Sequence, residues 1–257
     1  MDRKSIVEKI DKLPGKVGFY YKNLTDGTEI CYNEKETYIS ASIIKLPIFM
    51  SVMKLVEEGK LNLDDKYTVT MAEKVGGCGA IISFTGDVEL DLMSLCRLMI
   101  TISDNTATNK IIRIVGLEEM GRQFKALGLE KTQLQRYFFD SEAAEKGFKN
   151  VVCTEEIAHL FESIANRTFI SKEVSEKIEE VLLMQQIRHK IPGYIDIDSP
   201  YIANKTGEDD GITHDGAIVY AEKPFILVVT SENTYVPETE KFIRQIALDL
   251  YKENGGK

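Results

Sequence analysis

The sequence predicts a mixed α/β fold in which an antiparallel sheet, built from the N- and C-terminal segments and flanked by helices, carries an inserted all-helical subdomain. Three observations lead there. The stretch "KVGFYYKNLTDGTEICYN" reads as two strands around a turn at Thr25-Asp26-Gly27, since aromatic and β-branched residues flank an Asp-Gly pair. From Ser42 to about Leu183 the apolar residues recur with helical period. After Pro192 the period of two returns. Strands at both ends with helices between them form one sheet when the ends pair, which makes the middle an insertion.

Taken in order, the first helix runs from Asp2 to Lys12, with Ile6, Ile10 and Leu13 on one face, and stops at Pro14-Gly15. The helical middle includes the buried-looking "ELDLMSLCRLMI" and amphipathic stretches that begin near Thr154 and Ser171. Then "YIANKTG", "GITHDGAIVYAE" and "PFILVVTSE" read as three strands, the last two joined by a tight turn at Glu222 and Lys223. "PETEKFIRQIALDLYKENGG" closes the chain as a helix with Phe242, Ile243, Ile246 and Leu250 in its buried stripe. The expected division is an α/β subdomain of residues 1–39 plus 190–257 and a helical subdomain of residues 40–189, within a single domain. The cleft between sheet and helices is the natural place for a site.

Composition narrows the function. With 43% hydrophobic and 28% charged residues the chain is ordinary globular protein. A formal charge of −9 repels a phosphate backbone, and no Lys/Arg stripe offsets it, so nucleic acid is not an expected partner. Cys31, Cys78, Cys96 and Cys153 lack CxxC spacing and read as buried thiols. No apolar run is long enough to span a bilayer. The N-terminus has no secretory pattern, which places the chain as written in the cytoplasm, or outside it if a leader has been removed. A monomer is expected.

The stretch "YISASIIKLPIFM" puts Ser42 three residues before Lys45, at the head of an apolar helix that contains Pro47. Proline is tolerated only early in a helix, so Ser42 belongs at or just before the first turn. Two readings fit. Ser40 or Ser42 caps the helix, or Ser42 is a nucleophile with Lys45 beside it on the same face. A second pair at the same spacing, Ser51 and Lys54, lies inside the apolar helix, where a hydroxyl bonds back to its own backbone. A lysine accepts a proton only when neutral, which requires burial or a neighbouring cation. "ITISDNTATN" offers Ser103, Asp104 and Asn105, with Ser103 or Asp104 also able to cap the helix through Ile111 and Ile112. "NKTGED" offers Lys205, Thr206 and Gly207 at a strand end.

The motifs SxxK, SDN and KTG, in that order, resemble the class A β-lactamase and penicillin-binding serine acyl-enzyme family. The likeness extends through "ASIIKLPI" and "LMITISDNTATN" and covers nearly the whole chain. It implies a β-lactamase-like fold and a hydrolase that opens a β-lactam through an acyl-enzyme. Ser42 then resembles the acylated nucleophile, Lys45 its proton acceptor, Ser103 a proton relay to the leaving nitrogen, and Asn105 a contact to the substrate amide. Lys205 would lower the pKa of Lys45 and attract a substrate carboxylate that Thr206 also binds. The backbone N–H groups of Ser42 and Glu208 would hold the oxyanion, while Gly207 lets the substrate lie close. No arginine follows on the next strand, which leaves carboxylate recognition to Lys205, Thr206 and Thr213.

One position departs from the family. Aligning Leu134 and Arg136 with the pattern of class A lactamases puts Phe138 where the deacylating glutamate stands, and a phenyl ring takes no proton. The nearest carboxylates, Asp140 and Glu142, are either substitute bases or solvated charges. The alternatives to a lactamase are therefore a D-alanyl peptidase, amidase or esterase acting on a D-Ala-D-Ala-like peptide, and a penicillin-binding sensor that acylates without turnover. No HExxH, GxSxG, P-loop or GxGxxG occurs. His159, His189 and His214 read as structural or surface residues, and neither metal nor cofactor is expected.

Overall fold

A computed structural model of the chain describes residues 2–195 and 202–256. Tyr201, the first residue of the expected "YIANKTG" strand, lies outside them. In chain order the elements are α1 (Arg3–Ile10), β1 (Lys16–Asn23), β2 (Glu29–Tyr32), β3 (Thr37–Ile39), α2 (Lys45–Glu57), β4 (Lys66–Val69) and β5 (Val88–Asp91). There follow α3 (Leu92–Thr101), α4 (Asn105–Val115), α5 (Leu117–Ala126), α6 (Ser141–Glu145), β6 (Val151–Cys153), α7 (Thr154–Ala165) and α8 (Lys172–Leu183). The chain ends with β7 (Ile202–Asp209), β8 (Ile212–Val219), β9 (Phe225–Glu232) and α9 (Val236–Glu253).

β1 and β2 join β7, β8 and β9 in one five-stranded antiparallel sheet, ordered β2-β1-β9-β8-β7, as the patterning at the two chain ends predicted. Successive side chains on a strand face opposite ways, and β1 uses both faces. Phe19 and Tyr21 join Ile6 and Ile10 of α1 and Phe242, Ile243, Ile246 and Leu250 of α9 in one core. Tyr20 points the other way, into a larger core shared with α2, α3, α4, α7 and α8. The sheet is thus covered on both sides, and β8 and β9 are buried along nearly their whole length, β9 as a largely apolar run and β8 with Thr213, His214 and Asp215 inside it.

The middle of the chain is less helical than its patterning suggested: among the described residues no α-helix lies between α2 and α3, where β4 and β5 form a ribbon, and only the short α6 and β6, which pairs with β3, lie between α5 and α7. Strands of three or four residues are too short to display a period of their own, and pairing across the ribbon specifies them instead. α2 is buried nearly all round, so it sits in the centre of the structure. Ser51 Oγ donates to Pro47 O at 2.7 Å, the back-bond expected of a hydroxyl in mid-helix.

Where α7 crosses the sheet, Gly18 makes room for a buried hydroxyl pair, Thr154 Oγ1 and Thr230 Oγ1, 2.6 Å apart. A Cβ at Gly18 would stand 2.4 Å from one and 2.6 Å from the other. Gly18→Ala is therefore expected to lower the unfolding free energy by about 1–3 kcal/mol, the usual cost of overpacking. A urea melt reads this directly, and an unchanged midpoint would mean that α7 yields freely.

Candidate active site

Lys45 is the first residue of α2, and the preceding turn, 41–44, carries Ser42. Neither serine caps this helix: Ile44 occupies the cap position without a side-chain bond, Ser40 Oγ donates to Ala41 O, and Ser42 contributes its carbonyl to Lys45 N–H at 3.2 Å. The turn is tight, with Ala41 at a φ of 41°, and it leaves the Ser42 side chain partly exposed. Strand β7 passes directly beside it. A Cβ on Gly207 would lie 3.2 Å from Ser42 N and 3.0 Å from Ile43 N, so a side chain there would press on the N–H that the resemblance assigns to the oxyanion.

Ser103 stands in the break between α3 and α4 at a φ of 56°, the left-handed region that costs an ordinary residue energy. What holds it there is Asp104. Its Oδ1 caps α4 through Ala107 N–H at 2.8 Å, while Oδ2 accepts from Ala80 and Ile81 N–H at 2.7 and 2.9 Å. Of the two capping candidates, Asp104 takes the role. This frees the Ser103 hydroxyl to face the cleft.

Two buried lysines converge on that hydroxyl. Lys45 Nζ donates to Ser103 Oγ at 3.1 Å, to Ser103 O at 2.7 Å and to Asn105 Oδ1 at 2.7 Å. Lys205 Nζ donates to the same Oγ at 3.1 Å and to Thr206 O at 2.8 Å. Both ammonium groups are fully buried. Burial, and then the neighbouring Lys205, hold Lys45 well below the usual lysine range. The sequence argument gave that task to Lys205, but loss of water contact is the larger cause. Burial likewise lowers Lys205 to about 7, with Asp215 opposing and Lys190 assisting.

Phe138 lies over Lys45: its ring centroid is 4.8 Å from Nζ. Asn109 fixes the backbone at that point, accepting Phe138 N–H at 2.8 Å and donating to Phe138 O at 3.0 Å. The two nearby carboxylates are otherwise engaged. Asp140 caps α6 through Ala143 N–H, and Glu142 is exposed and paired with Lys146.

Several residues escaped the sequence reading. Lys190, fully buried, donates to Gly207 O at 3.1 Å and His214 O at 3.0 Å and lies 3.1 Å from Glu208 Oε1. Asp215 accepts from Asn204 and from Ile191 N–H in the same interior. Asn109, although within the quoted "ITISDNTATN", carried no signal of its clasp on Phe138. His214 proves structural: it is buried, bonded to Ile39 O and Ser231 N–H, and lowered to about 4 by burial. The expectation of buried thiols fails at Cys78, which is exposed on the loop before α3, and at Cys31, which is partly exposed. Cys78 belongs to a glycine-flanked loop with no helical or strand face to bury.

Comparison with known proteins bears on the fold and the family. A "Beta-lactamase" of Rhodobacter capsulatus is 26% identical over 127 residues, 49% of this chain and 43% of that protein, so the match spans less than half of the relative's length. A β-lactamase structure from Sphaerobacter thermophilus superposes with a TM-score of 0.89, at 23% identity over 99% of this chain and 98% of that one. PBP-A gives 0.87 at 24% identity, covering 98% and 94%, and a mutant of PBP-A, also at 0.87 and 24%, is described as an acyl-enzyme complex with penicillin G. These structures share the fold. The sequence model of the β-lactamase enzyme family matches residues 3–254, nearly the full length and all three motifs, and the chain belongs to that family.

Proposed function

We propose that this protein is a serine hydrolase that opens β-lactams through an acyl-enzyme on Ser42, with slow release of the product. The observation that carries the reading is the convergence of two fully buried lysines on Ser103 Oγ at 3.1 Å each. Burying two amines against one hydroxyl costs free energy through desolvation, and lysines perturbed in this way cluster at acid–base sites.

In this mechanism Ser42 Oγ attacks the lactam carbonyl and its proton passes to neutral Lys45. The oxyanion is held by the N–H groups of Ser42 and Glu208. The ring C–N bond breaks, and the nitrogen receives a proton through Ser103, which lies between the two amines. Thr206 and Lys205 hold the substrate's anionic group, and Asn105 its amide. Water then hydrolyses the ester. For that last step Phe138 offers no base, which supports slow deacylation and favours a second reading, a penicillin-binding peptidase or sensor of the same scaffold. Asp140 and Glu142 act as base only if the 137–142 segment rearranges.

The test is intact-mass spectrometry after mixing with benzylpenicillin, alongside turnover of a chromogenic cephalosporin and of an acyl-D-Ala-D-Ala peptide. A mass increase of one penicillin on wild type, lost in Ser42→Ala, is the expected result. Persistence of the adduct in Ser42→Ala, or no adduct in wild type, overturns the mechanism. Peptide cleavage with little cephalosporin turnover selects the peptidase.

A further inference from the structure

His189, Glu208 and Glu240 come from three different elements: the loop ahead of the Ile191–Tyr194 turn, the end of β7 and the first turns of α9. Their ligand-capable atoms nevertheless lie within 4.8 Å of one another, and among the described residues no other group of histidine, cysteine and carboxylate side chains does so. His189 Nε2 is 3.4 Å from Glu208 Oε1 and 3.4 Å from Glu240 Oε1. Ligand atoms bound to zinc at about 2.1 Å in a tetrahedron stand about 3.4 Å apart. We propose that these three side chains form a binding site for one divalent transition-metal ion of the zinc class, with a coordination position left open to solvent.

The surroundings prepare the ligands. Thr213 Oγ1 donates to Glu240 Oε1 at 3.4 Å, and Arg244 bonds Oε2 of the same carboxylate at 3.4 Å, which turns Oε1 toward His189. Arg244 also donates to His189 O at 3.1 Å, tying the loop to α9. Lys190 lies 3.1 Å from Glu208 Oε1 and so competes with the ion. It remains bonded to Gly207 O and His214 O when that contact is given up. His189 and Glu208 are about half exposed, with side-chain exposures of 47% and 44%, so an ion enters without any opening of the core. The net charge of −9 favours cation capture over the surface as a whole. Imidazole nitrogen and carboxylate oxygen are both zinc ligands, and three protein ligands leave the fourth position of a tetrahedral site open.

The position gives the ion a role. Glu208 directly follows Lys205-Thr206-Gly207, and β8, the next strand, pairs Thr213 rather than an arginine with it. A bound cation would place positive charge there, beside Glu208. This consequence rests on the acyl-transfer reading, whereas metal binding itself does not.

The experiment uses the full chain stripped of metal with a chelator and titrated with Zn²⁺ in a calorimeter and with Co²⁺ by visible absorption. One equivalent is expected to bind, with the intense absorption of four-coordinate Co²⁺. Affinity should fall at least tenfold in His189→Ala and in Glu240→Gln and stay unchanged in Cys78→Ser, the control for thiol capture. Wild-type NMR supplies a readout independent of variant folding: the ring signals of His189 shift on adding Zn²⁺, while those of buried His214 do not. No binding up to millimolar metal overturns the site. So does binding that survives both ligand substitutions, that is lost in Cys78→Ser, or that leaves His189 unmoved. Because none of these readouts involves a lactam, failure here is distinguishable from failure of the acyl-enzyme.

Discussion

Phe138→Glu should shorten the lifetime of a penicilloyl adduct on Ser42 by about 10²–10⁴-fold, the range a positioned general base contributes. The substitution puts a carboxylate where the phenyl ring now lies, 4.8 Å from Lys45 Nζ. Its backbone is already held in place by the oxygen and the nitrogen of the Asn109 side-chain amide, so the new side chain starts from a fixed point. Pairing with Lys45 would keep the carboxylate ionised and raise the lysine toward its protonated form, the states needed once acylation is complete. Intact mass followed over time after a penicillin pulse measures the effect. Phe138→Gln is the control, since it supplies the polar shape without the base and should leave the adduct as persistent as in wild type. If Phe138→Glu and Phe138→Gln decay alike, the limit on deacylation is access of water rather than the missing base.

Lys205→Met should slow acylation by about 30-fold to several thousand-fold, since truncating one partner of a buried charged hydrogen bond typically costs about 2–5 kcal/mol. The variant removes one of the two amines at Ser103 Oγ and the cation at the carboxylate end. It also carries a pH signature. The folded protein releases the Lys205 proton near pH 7, mainly because the amine is buried, whereas an unfolded lysine holds it to about 10.4. Between those values the unfolded chain binds more protons, so this residue makes the native state more stable as pH rises. The stability of wild type relative to Lys205→Met, from urea melts, should therefore increase from pH 7 to about pH 9. A difference that stays flat across that window would place the Lys205 titration outside it. Taking the difference matters because thiols act in the opposite sense: desolvation, with the hydrogen bond to Glu29, raises the partly exposed Cys31 to about 12.

The parts of this site that could be read in the sequence are those whose chemistry is local. Ser42 with Lys45, Ser103 with Asn105, and Lys205 with Thr206 and Gly207 each lie within four residues, so their order along the chain carries the family resemblance, although the spacing of any one pair, as Ser51 and Lys54 show, does not. The sheet was legible for a similar reason, because β1, β8 and β9 are long enough to show their patterning. What stayed hidden depends on packing between distant segments. Lys190 reads as one more surface lysine in "IRHKIPG", yet it is buried against Gly207 and His214. Burial as the main depressor of Lys45 was hidden too, because it results from α2 being enclosed on all sides. Asp104 rather than a serine as the clasp of the break, and the meeting of His189 with Glu240, likewise appear only when the loops close.

The pairing at the centre of the sheet also sets the order in which this protein is built. β1 lies between β2 and β9, and its partner β9 is encoded more than 200 residues later, with Lys16 opposite Glu232 and Asn23 opposite Phe225. On a ribosome, Phe19, Tyr20 and Tyr21 emerge more than 200 residues ahead of the strand that covers them. Contacts that span so much chain form slowly, and uncovered apolar strands invite aggregation. The nascent chain must therefore carry an unfinished sheet edge while the residues between β1 and β9 are made. A ribosome-stalled chain ending just before Phe225 would present that edge to chaperones, whereas one extended past α9 and clear of the exit tunnel would already have hidden it.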